Sequence, residues 1–197
     1  MYRAKYRVGS ARLNGWDYSS NAYYFVTVCT KKWICFFGEV INGTMNLSTI
    51  GEIAAEEWQK TEQIRHNVTL DDWVVMPNHI HGIIVIENEI PPESSDIVET
   101  SRWDVSETHH RQTRHRQTRH RRVSTGRLLP NSLGSIIGQF KSVCTKRIRK
   151  YELSKFAWQP RFYDHIFRSE ESLNKAREYI RNNPLKWEFD KNNPVNL

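Results

Sequence analysis

Apolar and polar positions along this chain repeat with two periods, near 2 and near 3.6, and the changes of period mark the elements. Ala22 to Thr30 (AYYFVTVCT) is apolar at both parities, which predicts a strand in the middle of a sheet. Trp33 to Phe37 and Glu39 to Ile41 predict a second strand. Asn42-Gly43 is a tight-turn pair, and Thr44 to Leu47 returns briefly after it. Thr49-x-x-Glu52 reads as a capping box. Ile50, Ile53, Ala54, Trp58 and Ile64 follow at helical spacing, so a helix is predicted that ends near His66-Asn67, with His66 capping it. One long strand is then predicted from Asp72 to Ile86, its second half a run of β-branched residues. Ser132 is placed to cap a helix whose stripe is Leu133, Ile136, Ile137, Phe140, Val143, Cys144 and Ile148. Phe162 to Phe167 alternates like a short strand. Ser169 caps a last helix, Glu170 to Asn182, which Pro184 stops. Trp187 and Phe189 are expected to tuck the tail against the body.

Between Ile86 and Ser132 the periodicity vanishes. Residues 87–131 carry Pro91-Pro92, acidic residues, and then a tandem unit, His110-Arg-Gln-Thr-Arg114 followed by His115-Arg-Gln-Thr-Arg119. Such a repeat has no core to build and reads as a low-complexity, disordered insert. Residues 1–21 interleave Arg3, Lys5, Arg7 and Arg12 with Tyr2, Tyr6, Trp16 and Tyr18, the pattern of a basic-aromatic arm. The body is therefore one domain, residues 22–190, with the insert at 87–131. Strands and helices mix without a regular βαβ rhythm. That predicts an α+β class: a ferredoxin-like antiparallel sheet with helices packed on one face.

Composition sharpens the partner question. The formal net charge is +7, which favours polyanions, nucleic acid before acidic membrane. Cys29, Cys35 and Cys144 are odd in number and contain no CxxC, which suits a reducing compartment. No stretch approaches membrane-spanning length, and the N-terminus has no signal-peptide core. A cytoplasmic protein is expected. The basic residues Lys141, Lys146, Arg147 and Lys150 lie on or just beyond the Ser132-capped helix, and His165 lies on the short strand. All five are candidates for nucleic-acid contact.

Candidate chemistry starts at Met76-Pro-Asn-His-Ile-His-Gly82. In a strand His79 and His81 project from one face and Ile80 from the other. Two imidazoles on one face of a rigid strand make half of a metal site. A metallohydrolase is disfavoured, because Gly82-Ile-Ile follows where that kind of motif places Asp-His. On the last helix Tyr179 and Asn183 are four apart and share a flank.

The blocks Asp17-Tyr18 with Ala22-Tyr-Tyr-Phe-Val-Thr27, Val75-Met-Pro-Asn-His-Ile-His-Gly82, Ser132-Leu-Gly-Ser-Ile-Ile-Gly-Gln-Phe-Lys141, Phe162-Tyr-Asp-His-Ile166 and Glu178-Tyr-Ile-Arg-Asn-Asn-Pro184 together resemble the single-tyrosine HUH transposases, in the branch of REP-associated tyrosine transposases. The long basic insert departs from shorter members. The resemblance implies that His79 and His81 are metal ligands, Asn183 the third ligand and Tyr179 the nucleophile. It implies Mg²⁺ or Mn²⁺ as cofactor, and single-stranded DNA with a hairpin or inverted repeat as partner. Monomer and homodimer both occur in the family, so the oligomeric state is left open.

The donor chemistry agrees with that implication. Two imidazoles and one amide are uncharged, leave the ion's charge undiminished, and leave coordination positions for substrate oxygens. A phenol with an ordinary pKa of about 10 needs such a neighbour to attack a phosphate. The reading is a metal-dependent transposase that cleaves and rejoins single-stranded DNA through a 5′-phosphotyrosine. The rival is a non-catalytic, domesticated protein that binds hairpin DNA or RNA. A third option is RNA binding by the arm and the insert.

Overall fold

The computed structural model describes residues 13, 15–88, 129–151 and 155–196. Its frame is a four-stranded antiparallel sheet. The strands are β1 (Ala22–Cys29), β4 (Val68–Met76), β5 (His79–Ile86) and β6 (Tyr163–Ile166), in the order β4-β5-β1-β6. Two further strands, β2 (Gly38–Ile41) and β3 (Thr44–Leu47), form a separate hairpin. Its turn residues Asn42 and Gly43 both have positive φ, 51° and 74°, as a two-residue hairpin turn requires. The helices are α1 (Thr49–Gln63), α2 (Leu133–Ile148) and α3 (Glu170–Arg181). This is the expected α+β class and the ferredoxin-like strand order.

The main core lies on one sheet face. Tyr24, Val26, Val28, Ile80, Ile84 and Ile86 meet Ile53, Ala54 and Trp58 of α1 and Ile136, Ile137, Phe140 and Cys144 of α2. Gly82 lets that face close: a Cβ there would stand 2.5 Å from the Trp58 ring. The third helix takes the other face. Leu173 and Ile180 of α3 pack on Ile83, with Val74 and Phe25 beside them. One-face packing therefore holds for α1 and α2 only. The cause is that β5 is apolar at both parities, so its second face also has to be covered. Two ion pairs pin α3 to β4, Arg177 to Asp71 at 2.6 Å and Arg181 to Asp72 at 2.8 Å.

Several local expectations change. The long strand is a hairpin: Pro77-Asn78 is its turn, β4 precedes it, and only β5 carries the histidines. Trp33 to Phe37 is not a strand. Lys32 and Trp33 both have φ of 59°, which turns the chain, and Phe37 N–H then bonds Pro77 O rather than a ladder partner. Ser48, not Thr49, caps α1, its hydroxyl accepting from Gly51 N–H at 3.2 Å. Ile64 rather than His66 ends that helix, and His66 is exposed in the turn beyond. Ser132 and Ser169 cap α2 and α3 as expected. Pro184 stops α3 but opens a 3-10 turn, Pro184–Phe189. Phe189 is 85 % exposed, so it does not tuck the tail, whereas Trp187 reaches the His79 ring at 6.1 Å.

The arm at 1–21 falls within the described residues only at 13 and 15–21, where Tyr18 stacks on Tyr24. Most of the 87–131 insert, with its His/Arg repeat, lies outside the described residues. Its near edge is Asn88, whose side chain bonds Asn21, Ser19 O and Asn67. Among the described residues, no helix is long and apolar enough to cross a membrane.

Candidate functional site

The β4–β5 turn delivers both histidines to the α3 face. His79 and His81 are 0 % and 3 % exposed, their rings 4.4 Å apart, while Ile80 faces the main core. Asn78 sets how His79 is protonated. Its amide nitrogen donates to Trp33 O at 3.0 Å and Asn192 O at 2.7 Å, so its oxygen must be the atom facing His79 Nδ1 at 2.7 Å. Nδ1 then carries the hydrogen, and the lone pair is on Nε2. That Nε2 is buried without a hydrogen-bond partner. His81 Nδ1 lies 2.9 Å from the Thr27 hydroxyl, its cross-strand neighbour. Burial holds the pKa of His79 well below the ordinary histidine value, with the charges of His81 and Lys191 adding to the effect. Burial and Lys191 push His81 down to about 3. Both imidazoles are thus neutral at neutral pH, the form that ligates metal.

Tyr179 stands near the end of α3 with its phenol oxygen 3.3 Å from His81 Nε2, although the two are 98 residues apart in sequence. Its ring packs against the imidazole, centroids 5.3 Å apart, and is 40 % exposed. Burial, and then the charge of Asp190, raise its pKa, while a hydrogen bond from the Asn183 side chain lowers it. Asn183 is 2 % exposed, and its amide oxygen has no hydrogen-bond partner.

The reading of the sequence missed Asp190. It follows the 3-10 turn and points a carboxylate oxygen at His79 Nε2, 4.0 Å away, while its other oxygen accepts from Asn192 N–H at 2.6 Å. Ligand atoms of His79, His81 and Asp190 all lie within 4.8 Å of one another, a group that could hold a metal ion. The donors fit a divalent cation: two imidazoles and a carboxylate, with an orphaned buried lone pair on His79 Nε2. With Asp190 in it, the all-neutral donor set expected from the sequence would gain one negative charge. No spacing pattern flagged Asp190, because a fold-back of the tail brings it in.

The basic candidates divide. Lys141 is committed to the fold, donating to Gln159 O at 2.8 Å and Arg161 O at 3.0 Å, and burial lowers its pKa to about 8. Arg147 ties α2 to α1 through Glu57 at 2.6 Å and Glu56 at 2.7 Å. Lys146 and Lys150 are exposed. His165 is exposed on β6 and borders the open part of the sheet face near Tyr179.

The chain is similar, at 32 % identity over 191 residues, to an uncharacterized protein of Haemophilus influenzae, across 94 % of this chain and 96 % of that one. No family model matches the chain. Its fold is that of a solved REP-associated tyrosine transposase bound to a REP hairpin, with a TM-score of 0.54 at 16 % identity, over 91 % of this chain and 76 % of that one.

Proposed function

The chain belongs to one family with the Haemophilus influenzae protein and carries the fold of a REP-associated tyrosine transposase, and from that premise we propose that it cleaves and rejoins single-stranded DNA through Tyr179. The substrate on this reading is a strand with a hairpin, since the structural relative is bound to a REP hairpin. The observation that carries the reading is the approach of the Tyr179 phenol to His81 Nε2, 3.3 Å, beside a three-residue cluster able to hold a cation.

His79, His81 and Asp190 would hold the ion, with the Asn183 amide oxygen as a further donor. A divalent ion there supplies Lewis acidity that polarises the scissile phosphate. Tyr179 Oη attacks phosphorus in line with the 3′-oxygen. The bond from phosphorus to that oxygen breaks as the bond to the phenol forms. The proton lost by the phenol is balanced by the one gained at the departing 3′-oxygen. The products are a 5′-phosphotyrosine and a free 3′-hydroxyl. Attack by a 3′-hydroxyl reverses the step without ATP, since the ester is conserved. The raised pKa of Tyr179 makes neighbouring positive charge a requirement for forming the phenolate, and Lys191 lines the same cleft.

The experiment is incubation with an end-labelled hairpin strand and Mn²⁺, read on a denaturing gel. A covalent adduct is expected that Tyr179→Phe abolishes. If no adduct forms, or if Tyr179→Phe retains it, the catalytic reading fails and the non-catalytic hairpin-binding reading takes its place.

A further inference from the structure

α3 covers only half of the sheet face on which the histidines lie. The residues across that face follow from register. Val74, His81, Thr27 and Tyr163 stand side by side on β4, β5, β1 and β6, and in the next row Phe25 pairs with His165. α3 rests on the β4–β5 side, where Ile83 is buried under it. The β1–β6 side is open, and the space above it is a cleft of about 820 Å³ that begins at His81 and Tyr179. That is within the size range of pockets that enclose a small organic ligand.

The cleft has a distinctive chemistry. Its floor and walls are aromatic, with Phe25, Tyr163 and Trp33 among them, and the described residues that line it include Arg161, Lys191 and Lys175, the last paired with Glu171 at 2.6 Å. Phe25 stacks on His81 with centroids 5.3 Å apart and meets Tyr163 edge-on at 6.4 Å. Tyr163 is 53 % exposed on an edge strand, so beyond its edge contact with Phe25 much of the ring is accessible. Aromatic faces accept bases and cations accept the phosphates between them, which is the chemistry of an unpaired nucleotide. Tyr163 is two strands from His81, about 10 Å, the reach of a base next to a phosphate at the cluster.

We propose that this cleft is a base-binding subsite, holding the unstacked base next to the scissile phosphate of single-stranded DNA on the Phe25–Tyr163 platform. The proposal rests on the strand-cleavage reading for its substrate, but its test does not depend on chemistry. Binding is measured in the Tyr179→Phe background, without metal, by anisotropy. The probes are a labelled oligothymidylate of about twelve nucleotides and an abasic strand of equal length and charge. Because the two carry the same phosphates, their affinity ratio isolates base stacking from the charge of the rest of the chain. The oligothymidylate should bind roughly tenfold or more tighter. Tyr163→Ala should cut that preference to about twofold, whereas Tyr163→Phe should keep it. Arg161→Gln should weaken both probes alike and lower the salt dependence by about 0.7 of a unit. An undiminished preference in Tyr163→Ala, with the fold verified by circular dichroism, overturns the subsite. A ribo-oligomer bound more tightly than the DNA overturns its assignment to DNA. Loss of the covalent adduct with the base preference intact would sink the chemistry and leave the subsite standing.

Discussion

Replacing Asn78 tests how the candidate metal cluster is held. Its side chain is fully buried and joins three segments: the turn at Trp33, the tail at Asn192 and the ring of His79. Asn78→Ala strands two carbonyl oxygens and one imidazole N–H. At about 1–3 kcal/mol for each of these three unsatisfied buried groups, the loss is roughly 3–9 kcal/mol. For a chain of this size that lowers Tm by about 10 °C or more. The second effect is chemical. Without an acceptor at Nδ1, the His79 hydrogen can move to Nε2 and occupy the lone pair meant for the ion. Loss of such an outer partner weakens metal binding by about 10–100-fold. Asn78→Asp separates the two effects. It keeps an acceptor for Nδ1 but turns an oxygen toward the two carbonyls, so stability should fall while Mn²⁺ affinity holds. The assay is calorimetric titration with Mn²⁺ below the melting range, with ¹⁵N imidazole spectra reporting the tautomer in the metal-free protein. Parent-like Mn²⁺ affinity in folded Asn78→Ala would refute the tautomer argument.

The remaining predictions concern charge. Both imidazoles titrate far lower in the folded chain than the ordinary value of 6.5, so the unfolded chain binds more protons as pH falls. Metal-free stability should therefore be full above about pH 6.5 and decline toward pH 3, by up to about 1.4 kcal/mol per unit for each histidine; urea denaturation at pH 7 and pH 5 checks this, and a flat profile would contradict it. Asp190→Asn removes the cluster's negative charge and should weaken Mn²⁺ binding by at least about tenfold, read by the same titration, while an unchanged affinity would exclude the carboxylate as a ligand.

Much of this arrangement could be read from periodicity. β1, β6, α2 and α3 lie where alternation and helical stripes put them, because burial on one face imposes those periods. The same-face pairing of His79 and His81 followed from the pleat alone. What periodicity could not give was any turn inside an apolar run. Val74, Val75, Ile80 and Ile83 read as one continuous strand, and the Pro77-Asn78 pair between them interrupts the apolar run too briefly to break its period. The kink at Lys32 and Trp33 was invisible for a related reason: neither residue type favours positive φ, and the conformation is accompanied by a long-range bond from Asn78 to Trp33 O. The candidate site shows the same division. Tyr179 and Asn183 were put forward from their spacing and a family resemblance. Asp190 arrives through the fold of the tail, which leaves no local period.

The two walls of the candidate site differ in a way the proposed chemistry would require. His79 and His81 sit on an interior strand, with Asn78 and Thr27 holding their rings, and have almost no accessible surface. A ligand so fixed loses little entropy when a cation binds, and it disfavours ions that need another geometry. Tyr179 stands at the rim of the opposite wall, on a helix tied down by the Arg177–Asp71 and Arg181–Asp72 pairs yet with two-fifths of the ring in solvent. On the proposed reading Tyr179 becomes joined to a polymer and needs that opening, since the attached strand would have to leave the cleft. Complete burial of the phenol would have raised its pKa further and left no path for DNA. The open half of the sheet would supply such a path, because α3 lies on the β4–β5 side and leaves β6 uncovered.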